Sequence, residues 1–356
     1  MKIVMALDSF KGCMSSREAN EAAAEGARAV CPDAEIVQVP VSDGGEGFTE
    51  AFHAAVGGQL IEMAVKDPMM RTVRGCYLLH GDMAVIEVAQ ACGLSLLTAE
   101  ERNPLVATSY GVGQMVADAV RRGARHIIVG LGGSATSDSG TGMLRALIDA
   151  FAPHGQWDDI AQLKPVRFTL ASDVKNPLCG ENGAAHVFAP QKGATPEMVV
   201  QLDERARRFA EVSARHFGFD RSAEEGAGAA GGLSYAFLQY MNAACRSGIS
   251  LLLDTIHFEE TVRDARLIVT GEGSADRQTL MGKLPMGILQ KAGGVPTCLI
   301  AGKICDREVL LEARFAFAEC INPPGLPLEE ALRQEVARTN ISQTVARILR
   351  QFKENN

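Results

Sequence analysis

The sequence predicts an α/β protein of two domains: a doubly wound, Rossmann-like parallel-sheet domain formed by both chain ends, and an inserted α/β domain with a mixed sheet. Short β-branched runs alternate with helix-spaced segments toward both ends of the chain, which is the rhythm of a parallel sheet. In between, extended runs over Leu60–Val65, Thr72–Leu79 and Met83–Val88 follow one another directly, with turns at Asp67-Pro68 and Gly81-Asp82, as antiparallel strands do. A chain of 356 residues is also long for a single core. The first domain is assigned to 1–58 and 245–356, the inserted one to 59–244.

Taken in order, Lys2 to Leu7 reads as a buried strand with Asp8-Ser9-Phe10-Lys11-Gly12 at its carboxyl end. Ser15 or Ser16 caps an alanine-rich helix to about Val30, and Glu18 is placed for a capping box. A second strand, Glu35 to Val41, ends in Ser42-Asp43-Gly44-Gly45-Glu46-Gly47, and a helix runs to about Val56. After the three extended runs, Ser109 to Arg122 is helical and His126 to Val129 is a strand. That strand breaks into glycines and hydroxyls before Met143 to Phe151 resumes at helical spacing. Arg167 to Ala171 is a strand ending in Ser172-Asp173-Val174-Lys175-Asn176-Pro177; Pro196 to Phe217 is a helix, and Gly226 to Gly232 opens another. Arg266 to Thr270, Thr297 to Ala301 and Phe315 to Cys320 restore the parallel rhythm, and a last helix spans Leu328 to Phe352.

Composition narrows the function. Apolar residues at 47% and charged residues at 22% suit a soluble globular chain with a substantial core. A net charge of −8 without a basic block argues against nucleic acid and anionic membranes as partners. The nine cysteines are scattered and never spaced C-x-x-C, so reduced thiols in a cytoplasmic protein are expected, with neither a disulfide framework nor a zinc site. No apolar run approaches membrane-spanning length.

Ligands of doubly wound sheets sit beyond the carboxyl ends of the strands, so the loops there carry the site residues. After His126–Val129, glycines allow backbone N–H groups to approach an anion, and Ser134, Thr136, Ser139 and Thr141 add hydroxyl donors ahead of a helix N-terminus. Phosphate is the expected ligand; a plain structural turn is the alternative. Asp138 would repel phosphate directly, so it either meets it through magnesium or caps the following helix. In Thr270–Lys283, Glu272 or Asp276 would hold a metal ion and Lys283 phosphate oxygens, unless Asp276 only caps a turn. Lys11 contacts a phosphate or carboxylate, or simply pairs with Asp8. Asp43, Glu46 and Asp173 could hold a substrate hydroxyl or act as base, or each could simply bond its own loop backbone. Gly130-x-Gly132-x-x-Ala135 matches the dinucleotide fingerprint only loosely, because the helix starts too late for a nicotinamide site. The sequence contains no P-loop, zincin or hydrolase signature.

Six blocks together carry a resemblance. Asp8-Ser9-Phe10-Lys11-Gly12, Pro40 to Gly47, Gly132-Gly133-Ser134-Ala135-Thr136, Asp173 to Leu178, Pro190-Gln191-Lys192-Gly193-Ala194 and Thr270-Gly271-Glu272-Gly273 resemble the type I glycerate kinases, in that family's order and over nearly the whole chain. The resemblance implies ATP-dependent phosphorylation of D-glycerate with magnesium, to 2-phosphoglycerate rather than 3-phosphoglycerate, between two α/β domains. The matched blocks and the loops around them supply site residues, to which physical reasoning assigns roles. Gly132, Gly133, Ser134, Thr136, Gly271, Gly273 and Lys283 are expected on ATP, and Asp138, Glu272 and Asp276 on magnesium. Asp8, Ser9 and Lys192 are expected on the substrate, with Lys11, Asp43 and Asp173 catalytic. Ser274 stands where the family usually has arginine, and the segment 151–167 is shorter than usual; both bear on substrate preference. A kinase for another small hydroxy acid, a catalytically silent sugar-acid or nucleotide-binding protein, and a homodimer are left open by the sequence.

Overall fold

The computed structural model describes residues 1–354 apart from 11, 43 and 46, and of Met281 only the backbone. Its strands are β1 (Lys2–Leu7), β2 (Glu35–Gln38), β3 (Gln59–Lys66), β4 (Thr72–His80), β5 (Met83–Glu87), β6 (His126–Gly130), β7 (Arg167–Ala171), β8 (Ala244–Arg246), β9 (Leu267–Ala275), β10 (Thr297–Ile304) and β11 (Phe317–Cys320). The chain divides into two compact units, residues 1–43, 54–56 and 249–356 in one, and 44–53 with 57–248 in the other. The segment 44–53 clusters with the inserted unit, whereas the sequence assignment kept it in the first domain.

The first unit holds a five-stranded sheet in the order β11-β10-β9-β1-β2, parallel throughout. Counted within the unit this is 2-1-3-4-5, the flavodoxin-type variant of the doubly wound sheet. Ser15 and Glu18 form the expected capping box: the Ser15 hydroxyl accepts from Glu18 N–H while the Glu18 carboxylate accepts from Ser15 N–H. The helix Ser16–Val30 that they start is small-sided for a reason. At Gly26 a Cβ would stand 2.1 Å from the Ser342 carbonyl oxygen, so the C-terminal helix Gln334–Glu354 packs against it backbone to backbone. Ile3, Met5, Leu7, Val269, Ile300, Ile341 and Ile348 form the core of this unit.

The second unit holds a six-stranded sheet, β3-β4-β5-β6-β7-β8. The first three strands form the expected antiparallel meander. From β5 to β8 the pairing is parallel, and the helix Tyr110–Arg121 makes the crossover between β5 and β6. It packs closely on the helix Thr141–Phe151, because a Cβ on Gly113 would lie 2.4 Å from the Met143 carbonyl oxygen.

Two of the differences from expectation bear on the site. The strand expected to end at Thr270 continues to Ala275, because β10 goes on pairing with it as far as Ile304. The single last helix is two, Leu328–Ala331 and Gln334–Glu354, separated by a turn at 332–333. Leu328 and Leu332 are four residues apart and look like a core stripe in the sequence, yet both are exposed. All nine cysteines are free. Among the described residues, no helix is long and apolar enough to cross a membrane.

Candidate functional site

In the first unit the chain leaves β1 toward β2 on one side, and leaves β9 toward β10 on the other. The β1/β9 pair is therefore the switch point, where a crevice opens beyond the strand ends. A cavity of about 470 Å3 lies there. Its lining comes from four carboxyl ends in turn: Asp8 and Ser9 after β1, Glu272, Gly273 and Ser274 on β9, Lys303 on β10, and Asn322 after β11.

The polar wall is held in place by its own bonds. Asp8 N–H donates to the Gly271 carbonyl at 2.9 Å, and the Asp8 carboxylate accepts from Ser9 N–H at 2.7 Å. Glu272 is nearly buried, and Thr279 Oγ1 donates to its Oε1 at 2.6 Å. Lys283 Nζ stands 3.8 Å from Glu272 Oε2 and 4.0 Å from Asp276 Oδ1, so one cation is shared between two carboxylates. Asp276 in turn accepts from Gln278 N–H at 2.8 Å and starts the short 3-10 turn Arg277–Met281. It is thus the cap that the sequence allowed as an alternative to a metal ligand.

Gly271 differs from expectation. It is buried inside β9, its carbonyl is paired with Asp8, and a Cβ there would meet the Ile300 carbonyl oxygen at 2.5 Å. It is glycine so that neighbouring strands can close up, rather than to cradle phosphate. Gly273, by contrast, lines the cavity and is exposed. Lys303 also lines the cavity, and sequence reasoning missed it, although the placement rule that singled out Lys11 applies equally at the end of β10.

In the second unit, residues 131–140 connect β6 to the helix Thr141–Phe151. The loop is tied on several sides. Gly132 N–H donates to the Gly44 carbonyl at 3.1 Å, the Gly133 carbonyl accepts from Leu94 N–H at 2.9 Å, and Ala135 N–H donates to the Cys92 carbonyl at 2.7 Å. A Cβ on Gly132 would come within 2.4 Å of the Gly45 Cα, which leaves glycine as the residue that fits. Gly133 has φ +73° and is exposed, presenting main chain at the loop surface.

Four residues in and beneath this loop are engaged within the fold. Ser134 and Thr136 are buried, so their hydroxyls do not face an incoming phosphate. Lys192 is buried too, and its Nζ donates to Ser134 Oγ at 3.0 Å and to the Thr136 carbonyl at 2.6 Å. It braces the loop from inside instead of facing substrate, and burial lowers its pKa to about 8. Asp138 spends both carboxylate oxygens on its own unit: Oδ2 accepts from Ser109 N–H, Ser109 Oγ and Gly142 N–H, and Oδ1 from Gly140 N–H. Four donors around one carboxylate make it a fastening at the start of the helix, the alternative that the sequence left open beside a magnesium ligand. Asp173 follows β7 and is exposed. Lys11, Asp43 and Glu46 lie outside the described residues.

Among the described residues no group of three or more His, Cys, Asp or Glu could hold a metal ion by itself. Magnesium does not need one, since it binds through one or two carboxylates and takes its other oxygens from phosphate and water. Asp8 and Glu272, both lining the cavity, meet that requirement.

A sequence model described as the glycerate kinase family matches residues 3–156 and 155–353. A glycerate kinase of Bacillus subtilis (strain 168) is 39% identical over 354 residues, covering 93% of each chain. The glycerate 2-kinase of Escherichia coli (strain K12) is 40% identical over 328 residues, covering 86% of each. A crystal structure assigned to glycerate kinase 2 of Salmonella typhimurium LT2 aligns with a TM-score of 0.83 at 36% identity, over 100% of this chain and 99% of that one.

Proposed function

The chain belongs to the glycerate kinase family, and from that premise we propose that it transfers the γ-phosphoryl group of ATP to D-glycerate, giving 2-phosphoglycerate. The observation that carries this reading is the cavity at the β1/β9 switch point, where two carboxylates and two lysines converge on a space the size of a small-molecule site.

Phosphoryl transfer asks mainly for positioning and for neutralising charge on the moving group. Lys283 and Lys303 supply positive charge at this cavity. Asp8 and Glu272 would hold magnesium, whose chemistry is to neutralise phosphate oxygens and orient them. Lys283 is shared with Glu272 and Asp276 before phosphate arrives, so its ammonium is already aimed when the anion binds. Thr279 fixes the Glu272 carboxylate in one orientation. Asp173 is assigned to the attacking hydroxyl of glycerate.

The test is an ADP-release assay with D-glycerate, ATP and magnesium, followed by identification of the phosphoglycerate isomer by phosphorus NMR. Turnover to the 2-isomer is expected; no release of ADP above the rate without glycerate would overturn the reading. One observation favours a second substrate. Ser274 lines the cavity where the family usually carries arginine, which removes a rigid anion clamp. A panel of small hydroxy acids in the same assay would show a preference for another acid if this exchange has moved specificity. The net charge of −8 and nine unpaired thiols support a cytoplasmic enzyme.

A further inference from the structure

The cavity of the first unit has a second wall that phosphate and magnesium leave unused. Alongside the charged residues it is lined by Phe10, Ile321, Leu328 and Leu332. Leu328 is 73% exposed and Leu332 42% exposed, and Leu328 is the most exposed large apolar side chain among the described residues. A single exposed leucine is ordinary, but two on the rim of one cavity, next to a cluster of charges, form an amphipathic site.

Size and chemistry decide between the two substrates as its occupant. A cavity of about 470 Å3 is in the range of drug-sized ligands, far larger than a three-carbon acid needs. Glycerate carries a carboxylate and two hydroxyls and has almost no apolar surface to lay on leucine. A nucleoside triphosphate has both halves, a flat apolar base at one end and a polyanion at the other. Asn322, the amide side chain of this lining, is engaged: its Nδ2 donates to the Gly302 carbonyl at 2.8 Å and its Oδ1 accepts from Asn340 at 3.0 Å. The surface that the two leucines offer a base is apolar and suits its flat face.

We propose that Leu328 and Leu332 form the shelf on which the nucleobase of the phosphoryl donor lies, so that this wall sets donor affinity and separates a nucleoside triphosphate from bare polyphosphate. The inference rests on the assignment of this cavity to the donor made above. It explains why Leu328 and Leu332 keep helical spacing yet stay out of the core: their apolar faces are kept for a ligand.

The experiment uses the full-length protein with Leu328→Asp and Leu332→Asp, singly and together, beside Leu328→Met with Leu332→Met as the conservative pair. Both positions are exposed, so the aspartates should fold, which a thermal melt verifies. The KM for ATP is expected to rise about tenfold in the double aspartate variant, with the KM for D-glycerate within twofold of wild type and the methionine pair near wild type. Displacement of a fluorescent ATP analogue by adenosine should weaken in parallel, while displacement by tripolyphosphate should not change. An unchanged KM for ATP and unchanged adenosine competition in the folded aspartate variants would overturn the shelf, and so would a rise confined to the KM for glycerate. If wild type shows no turnover of D-glycerate, the functional reading fails by itself. The displacement comparison then still decides whether the leucines hold the base.

Discussion

Lys192 Nζ donates to the Thr136 carbonyl oxygen at 2.6 Å, so a buried ammonium fixes the path of the Gly132–Gly140 loop from inside the second unit. A buried carbonyl that loses its partner costs about 1–3 kcal/mol. Lys192→Met should therefore lower stability by about that amount at pH 10, where the folded lysine is neutral and the cost of burying its charge is gone, read as a shift in urea midpoint. The loss should be accompanied by reduced turnover, because the loop is no longer held.

The same lysine predicts a pH dependence. Its folded pKa of about 8 lies below the ordinary lysine value of about 10.4, so between those values the unfolded chain binds more protons. The cost of burying the charge is complete below pH 8 and fades as pH rises and the folded lysine deprotonates. The stability of wild type relative to Lys192→Met should rise from pH 8 to pH 10, by at most about 1.4 kcal/mol per pH unit. Urea titrations of both proteins at pH 7, 8, 9 and 10 measure it; a flat or falling difference would contradict the assignment.

Asp138 accepts from four donors on the segments 109 and 140–142, so its substitution should act on folding first. Asp138→Ala is expected to cost about 2–3 kcal/mol, and Asp138→Asn, which keeps one acceptor oxygen, less. An Asp138→Ala protein that melts like wild type but has lost all turnover would return this residue to the metal site.

Gly132→Ala brings a methyl carbon to within 2.4 Å of the Gly45 Cα, where only main chain can give way. Destabilisation of about 1–3 kcal/mol is expected from this crowding, together with lower activity. Calorimetry on the variant checks it, and a wild-type melting temperature would show that the loop has more room than this packing allows.

At the first unit's cavity, Glu272→Gln preserves an oxygen for Thr279 to bond, so the fold should stand while the carboxylate's charge is lost. Turnover should fall about 100-fold, as for removal of an electrostatic group aimed at the reacting phosphate. The thermal shift produced by ATP with magnesium should shrink. A Glu272→Gln enzyme with full activity would take this carboxylate out of the reaction.

Much of the architecture was legible because it depends on patterns along the chain. The Ser15–Glu18 capping box, the parallel rhythm of the two ends and the meander of β3 to β5 all follow from local chemistry and hydrophobic period. Leu328 and Leu332 show where period fails: helical spacing says that two apolar residues share a face, but not whether that face meets a core or a cavity. Lys303 lay just past the expected end of its strand, within reach of the rule that singled out Lys11, and the strand in fact runs on through it to Ile304.

The sequence by itself determined the class of fold, the glycine-and-hydroxyl loops at strand ends, and the motif set shared with glycerate kinases. Only the tertiary structure decided which of those loop residues are spent on bonds within the fold. Asp138, Lys192 and Gly271 have the chemistry of a phosphate site, but distant partners use it: Ser109, Thr136 and Ile300. Whether a charged or flexible residue serves a ligand or its own backbone depends on the donors and acceptors that folding brings to it, and those lie tens of residues away along the chain.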